Sequence, residues 1–137
     1  MGDGDDIINL AGFIVSPKNK YPDTIVNGED GLDTLNFTGS GINQDMQYIK
    51  GFETIDITGS GNNKLSNITL ENVQANADSG VLHIKGDIGD IVELNANGWE
   101  CVNSTLEEGV SYDIYRHNSI MNNDENDIWV QTGIIIG

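Results

Sequence analysis

The chain has 137 residues, with 6 Lys+Arg against 22 Asp+Glu for a formal charge of −16, and it is rich in Gly, Asp and Asn. That length suits one domain with a moderate core, the acid excess argues against nucleic acid or an anionic membrane surface as a partner, and the single Cys101 excludes an internal disulfide framework and an all-Cys zinc site. No purely apolar run is longer than Ile134-Ile135-Ile136, so no transmembrane segment is expected, and no basic and apolar leader follows Met1, so no cleavable secretory signal is expected.

Taken in chain order, a short unit recurs: an acidic or amide residue with a branched apolar residue two positions later. The copies are Asp6-Ile7-Ile8-Asn9-Leu10, Asp23-Thr24-Ile25-Val26-Asn27, Asp33-Thr34-Leu35-Asn36-Phe37 and Glu53-Thr54-Ile55-Asp56-Ile57. Weaker copies are Asn63-Lys64-Leu65-Ser66 and Asp90-Ile91-Val92-Glu93-Leu94. The closest match sets Leu35-Asn36-Phe37-Thr38-Gly39-Ser40-Gly41 against Ile55-Asp56-Ile57-Thr58-Gly59-Ser60-Gly61. Apolar and polar residues alternate at period two, which predicts short strands with Leu35, Phe37, Ile55, Ile57 and Leu65 in the core. Gly-rich segments punctuate them as sharp turns. Self-similar turns favour a coil of stacked parallel strands, each presenting the same apolar position to the next. The expected fold class is therefore all-β: a parallel β-roll or β-solenoid over residues 1–99 with a C-terminal β cap over 100–137, in one compact unit.

Other elements are sparse. Leu70-Glu71-Asn72-Val73-Gln74-Ala75 predicts a short helix with Thr69 as N-cap. The prolines Pro17 and Pro22 place a protruding loop between the first two repeats. Past Trp99 the repeat is lost, and Tyr112-Asp113-Ile114-Tyr115, Asp127-Ile128-Trp129-Val130 and Ile134-Ile135-Ile136 predict three further strands that would cover the end of the stack.

Two segments carry candidate chemistry. Gly2-Asp3-Gly4-Asp5-Asp6-Ile7-Ile8-Asn9 fits the calcium-binding nonapeptide G-G-x-G-x-D-x-U-x from its second position, and Gly28-Glu29-Asp30-Gly31-Leu32-Asp33-Thr34-Leu35-Asn36 fits it with Glu29 at the second glycine. Glycines let such a turn curl with its carbonyls inward, and the Asp before the strand points into the same cage. Calcium takes six to eight oxygens, so two stacked turns share one ion and have their carboxylates neutralised.

These segments resemble the RTX (repeats-in-toxin) family of calcium-dependent proteins exported by Gram-negative type I secretion. Phe52-Glu53-Thr54-Ile55-Asp56-Ile57-Thr58-Gly59-Ser60-Gly61-Asn62-Asn63 is similar to a segment near the C-terminus of very large RTX adhesins. So is Ile84-Lys85-Gly86-Asp87-Ile88-Gly89-Asp90-Ile91-Val92-Glu93-Leu94, with Gly98-Trp99 and Tyr112 to Tyr115 after it. The resemblance covers most of the chain. It implies a secreted or cell-surface adhesin module that folds outside the cell, with calcium and the type I secretion machinery as partners. Host or surface ligands would be met through the parent protein, and residues from about 80 to 137 would form an uncleaved export-signal region. The expected calcium ligands are drawn from Gly2, Gly4, Asp6, Asp23, Gly28, Asp30, Gly31 and Asp33. Three features depart from the family pattern. Met1 and Glu29 replace glycines, Asn63 stands where Asp belongs, and Asp6 and Asp23 miss the spacing of about eighteen residues that paired nonapeptides impose.

No enzyme is expected, because no nucleophile motif or H-E-x-x-H is present. Asn122 to Asp127 has the acid density of an EF-hand without its Gly or helices. His83 and His117 are too far apart for zinc, and Cys101 reads as a small buried residue. Two alternative functions remain open: a carbohydrate- or ice-binding surface module, or the export domain of a secreted RTX hydrolase.

Overall fold

Alternating short segments become strands along the chain. In a computed structural model that describes residues 4–10, 26–28, 30–59, 61–77, 80–119 and 126–137, they run β1 (Ile7–Leu10), β2 (Val26–Asn27), β3 (Thr34–Phe37), β4 (Asn43–Asp45), β5 (Ile49–Lys50), β6 (Thr54–Asp56) and β7 (Lys64–Ser66). Helix α1 (Leu70–Asn76) follows, then β8 (Leu82–Lys85), β9 (Ile91–Val92), β10 (Trp99–Glu107), β11 (Val110–His117), β12 (Ile128–Gln131) and β13 (Ile135–Ile136). A seven-stranded sheet has the order β1-β3-β6-β8-β12-β11-β10, a four-stranded sheet the order β13-β9-β7-β4, and β2 pairs with β5.

Period-two patterning decides the faces. Ile8, Leu35, Ile55 and Ile84 stand in register across β1, β3, β6 and β8. Gln44, Leu65 and Val92 do the same across β4, β7 and β9. Leu35, Phe37, Ile55, Ile57, Leu65, Ile84 and Val92 are completely buried in one shared core. Burying each such side chain is worth about 1.5–3 kcal/mol relative to exposure. Helix α1 forms where it was expected: Thr69 Oγ1 accepts from Asn72 N at 3.1 Å, while Val73 and Asn76 are buried. The Trp99 indole N–H donates to Ile68 O at 2.6 Å, tying the start of β10 to the segment before that helix.

A parallel β-roll or β-solenoid with a separate C-terminal cap is not what forms. The sheet is mixed: β12 lies parallel to β8 and antiparallel to β11, and β11 and β10 form an antiparallel hairpin. Parallel partners also follow no fixed repeat, since Ile7 pairs with Thr34, Thr34 with Thr54 and Thr54 with His83. The C-terminal strands do not cover an end; β12 and β13 continue the sheets by pairing with β8 and β9. The physical reason is the open edge of β8, whose unpaired backbone groups β12 satisfies before the hairpin extends the sheet further. The hairpin turns at Glu108 and Gly109, with φ of 52° and 82°. Two consecutive positive φ values match the right-handed twist of the flanking strands.

Candidate functional site

The two nonapeptide turns lie on top of one another. Gly4 N donates to Asp30 O at 3.0 Å, Leu32 N to Asp5 Oδ1 at 2.9 Å and Asp6 N to Asp33 Oδ1 at 2.8 Å. Gly31, at φ +131°, sits so close beneath Gly4 that a Cβ would collide with the Gly4 carbonyl. Gly28 plays a similar part on the other side of Asp33, where a Cβ would overlap Gly51 O and stand 2.6 Å from Asp33 Oδ2. Thus Gly4, Asp6, Gly28, Asp30, Gly31 and Asp33 are brought together, whereas Gly2 and Asp23 lie outside the described residues. The turn stacked on Asp6 is the one at Asp30 to Asp33.

Most of the carboxylate chemistry in these turns is spent on backbone. Asp33 caps Asp6 N, and Asp33 N in turn donates to Glu53 Oε2 at 2.8 Å. The same device recurs on the second sheet. Asn63 Oδ1 accepts from Ile42 N and Asp90 Oδ1 accepts from Asn63 N, both at 2.8 Å. It recurs at the third corner, where Asn76 Oδ1 accepts from Phe52 N at 3.3 Å. Asp33, Asn63, Asn76 and Asp90 are all buried. Buried backbone N–H groups at strand corners need acceptors, and these side chains supply them from the neighbouring turn or, for Asn76, from the end of helix α1.

The corners differ in how fully they are satisfied. Asp90 Oδ2 accepts from Asp87 N at 2.6 Å, and Asn63 Nδ2 donates to Ile57 O at 2.9 Å. This explains why an Asn rather than an Asp stands at position 63: the position needs a donor as well as an acceptor, and a carboxylate has none. Asp33 Oδ2, by contrast, is buried with no hydrogen-bond partner. An orphaned carboxylate oxygen is costly unless a cation or proton meets it.

That oxygen is the test of whether these residues fit a metal. Asp33 Oδ2 and the Gly51 carbonyl both crowd the space that a Cβ at Gly28 would fill, and oxygen donors of this kind suit calcium. Among the described residues no three His, Cys, Asp or Glu side chains converge as a cage, so backbone carbonyls would have to complete the shell. Glu53 and Gly51 are participants that motif reading missed. Glu53 heads its own repeat unit, which was the available signal.

A second polar cluster lies on the outer face of the large sheet. The His83 ring stands 4.9 Å from Trp129 and 5.6 Å from Tyr112, centroid to centroid. His83 Nε2 is buried without a hydrogen bond, 3.6 Å from Glu107 Oε1. Burial lowers the His83 pKa below its usual 6.5, outweighing the opposing pull of Glu107. Cys101, expected to be buried, is exposed on β10. Among the described residues no helix is long and apolar enough to cross a membrane. Compared with known proteins, the chain matches no family model, no characterised protein and no solved structure.

Proposed function

We propose that this chain is a calcium-stabilised folding and export module of a large secreted bacterial adhesin of the RTX kind. The observation that carries the reading is the buried, unpaired Asp33 Oδ2 at the stacked glycine turns. The two nonapeptides and the acid excess support it. Calcium would be held by Asp33 and by carbonyls of the surrounding turns, and it would supply the positive charge that the orphaned oxygen lacks. The chain's own part is to bring residues 4–6, 28, 30–33 and 51–53 together so that the turns are correctly spaced. Free of calcium, a net charge of −16 opposes compaction and keeps the chain competent for export. In extracellular calcium, a ligand bound only by the folded state adds stability, about 2.7 kcal/mol at a hundredfold excess over Kd.

The test is thermal unfolding followed by circular dichroism in calcium, in magnesium and in chelator. A saturable rise in Tm with calcium, small with magnesium and abolished in Asp33→Asn, is the expected result. Superimposable melting curves in calcium and chelator would remove the calcium reading.

A further inference from the structure

The outer face of the C-terminal strands carries a groove that the calcium reading does not use. Register places Asn103 beside Ile114 and Ile114 beside Trp129. Together with Val102, Arg116 and Asp127 they line a space of about 260 Å³. Its apolar part is built from Trp129, Ile114, Val102 and Val81. Its polar part is Asn103 and the Arg116–Asp127 pair. In that pair Arg116 Nε donates to Asp127 Oδ1 at 3.0 Å and an Arg116 terminal nitrogen donates to Oδ2 at 2.9 Å. Asp127 is buried, 3% exposed, so the polar end is fixed in place before any ligand arrives.

We infer that this groove binds a single ring of a neutral sugar. A pyranose has an apolar C–H face and an equatorial rim of hydroxyls, and the groove offers an aromatic surface beside polar side chains. Asn103 Oδ1 already accepts from Ser104 N at 2.9 Å, which leaves the amide NH2 to donate to a hydroxyl. The charge of Arg116 is matched by Asp127, so the groove offers no net attraction to an anion, and the −16 chain repels anions at long range. Both Asp127 oxygens are engaged by Arg116, which leaves no carboxylate edge for a cation. A wholly apolar ligand would bury the Asn103 amide without a partner. At about 260 Å³ the space falls just below the usual range for larger ligands, which suits one ring.

The experiment is a titration of the 15N-labelled full chain, in buffer containing calcium and again in chelator, with glucose, galactose, mannose and N-acetylglucosamine, with sialic acid as the anionic arm. The Trp129 indole N–H signal is assigned by its loss in Trp129→Phe. At least one neutral sugar should move it saturably, with Kd on the order of 1 mM, while the Trp99 indole, tied to Ile68 O, stays put. Asn103→Ala and the surface change Val102→Lys should each weaken binding about tenfold, equivalent to about 1.4 kcal/mol. The inference is overturned by no saturable shift with any of the four neutral sugars. A response to sialic acid alone, or unchanged affinity in both variants, overturns it equally.

Discussion

Two corners of the molecule use the same device and end differently. At Asn63 the side chain accepts from Ile42 N and donates to Ile57 O, while Asp90 below it accepts from Asn63 N and Asp87 N. Every polar atom in that column has work within the protein. At Asp33 one oxygen caps Asp6 N and the other is buried and unmet. The comparison separates two meanings of an acidic or amide residue before a strand. One satisfies its corner with both side-chain polar atoms, and the other leaves one buried oxygen without a hydrogen-bond partner.

The sharpest way to break the comparison is to make the two corners alike. Asn63→Asp would bring a second carboxylate beside Asp90 and leave the Ile57 carbonyl without its donor, at a cost of about 3 kcal/mol or more. Urea unfolding at neutral pH measures it, and a loss under 1 kcal/mol would mean that the Asn63 bonds are dispensable. The reverse change, Asp33→Asn, keeps an acceptor for Asp6 N and removes the unpaired anionic oxygen. In chelator it should leave stability within about 1 kcal/mol of the parent chain, or above it, because an amide is cheaper to bury than an unpaired carboxylate. If chelator-treated Asp33→Asn were destabilised as strongly as Asn63→Asp, the two corners would be equivalent and the contrast would fall.

A smaller effect concerns acid. Burial holds His83 below its usual 6.5, so as pH falls the unfolded chain takes up that proton first. Its contribution to stability is therefore complete above pH 6.5 and is lost progressively below it. Glu107 and Lys85 are the charged groups acting on the ring, with Trp129 and Tyr112 packed beside it. His83→Gln should flatten the decline just below pH 6.5 in a series of melting curves. An acid limb of unchanged shape would assign the decline to carboxylates alone.

How much of this was legible follows from which physics each residue obeys. Leu35, Phe37, Ile55, Ile57 and Leu65 could be placed in the core because period-two alternation is a local signal, and all five are completely buried. Thr69 and the helix after it were legible for the same reason. The partner of each strand was not. Repetition suggested a regular parallel coil, yet β12 runs between a parallel and an antiparallel neighbour. That choice is made by which edge remains open after β8 forms, and no local pattern records it. The β10–β11 hairpin was also hidden, since its turn is Glu108-Gly109 and lacks the Asn-Gly or Asp-Gly signature. At the site, the sequence picked out the two glycine turns that the structure stacks on one another. It did not disclose that Asp5, Asp33 and Glu53 would spend oxygens on neighbouring backbone, because those bonds join residues about two dozen positions apart.

The late strands also set a schedule. Strand β12 completes the edge left by β8, and β13 the edge left by β9, with Gly137 N donating to Val92 O and Leu94 N to Gly137 O, both at 2.9 Å. A chain emerging N-terminus first from a ribosome holds both edges unpaired until residues 128–137 are free. Long-range pairing of this kind is slow to nucleate. Completion of the sheets therefore waits for residues 128–137 to clear, which gives the order of emergence control over when these sheets become rigid.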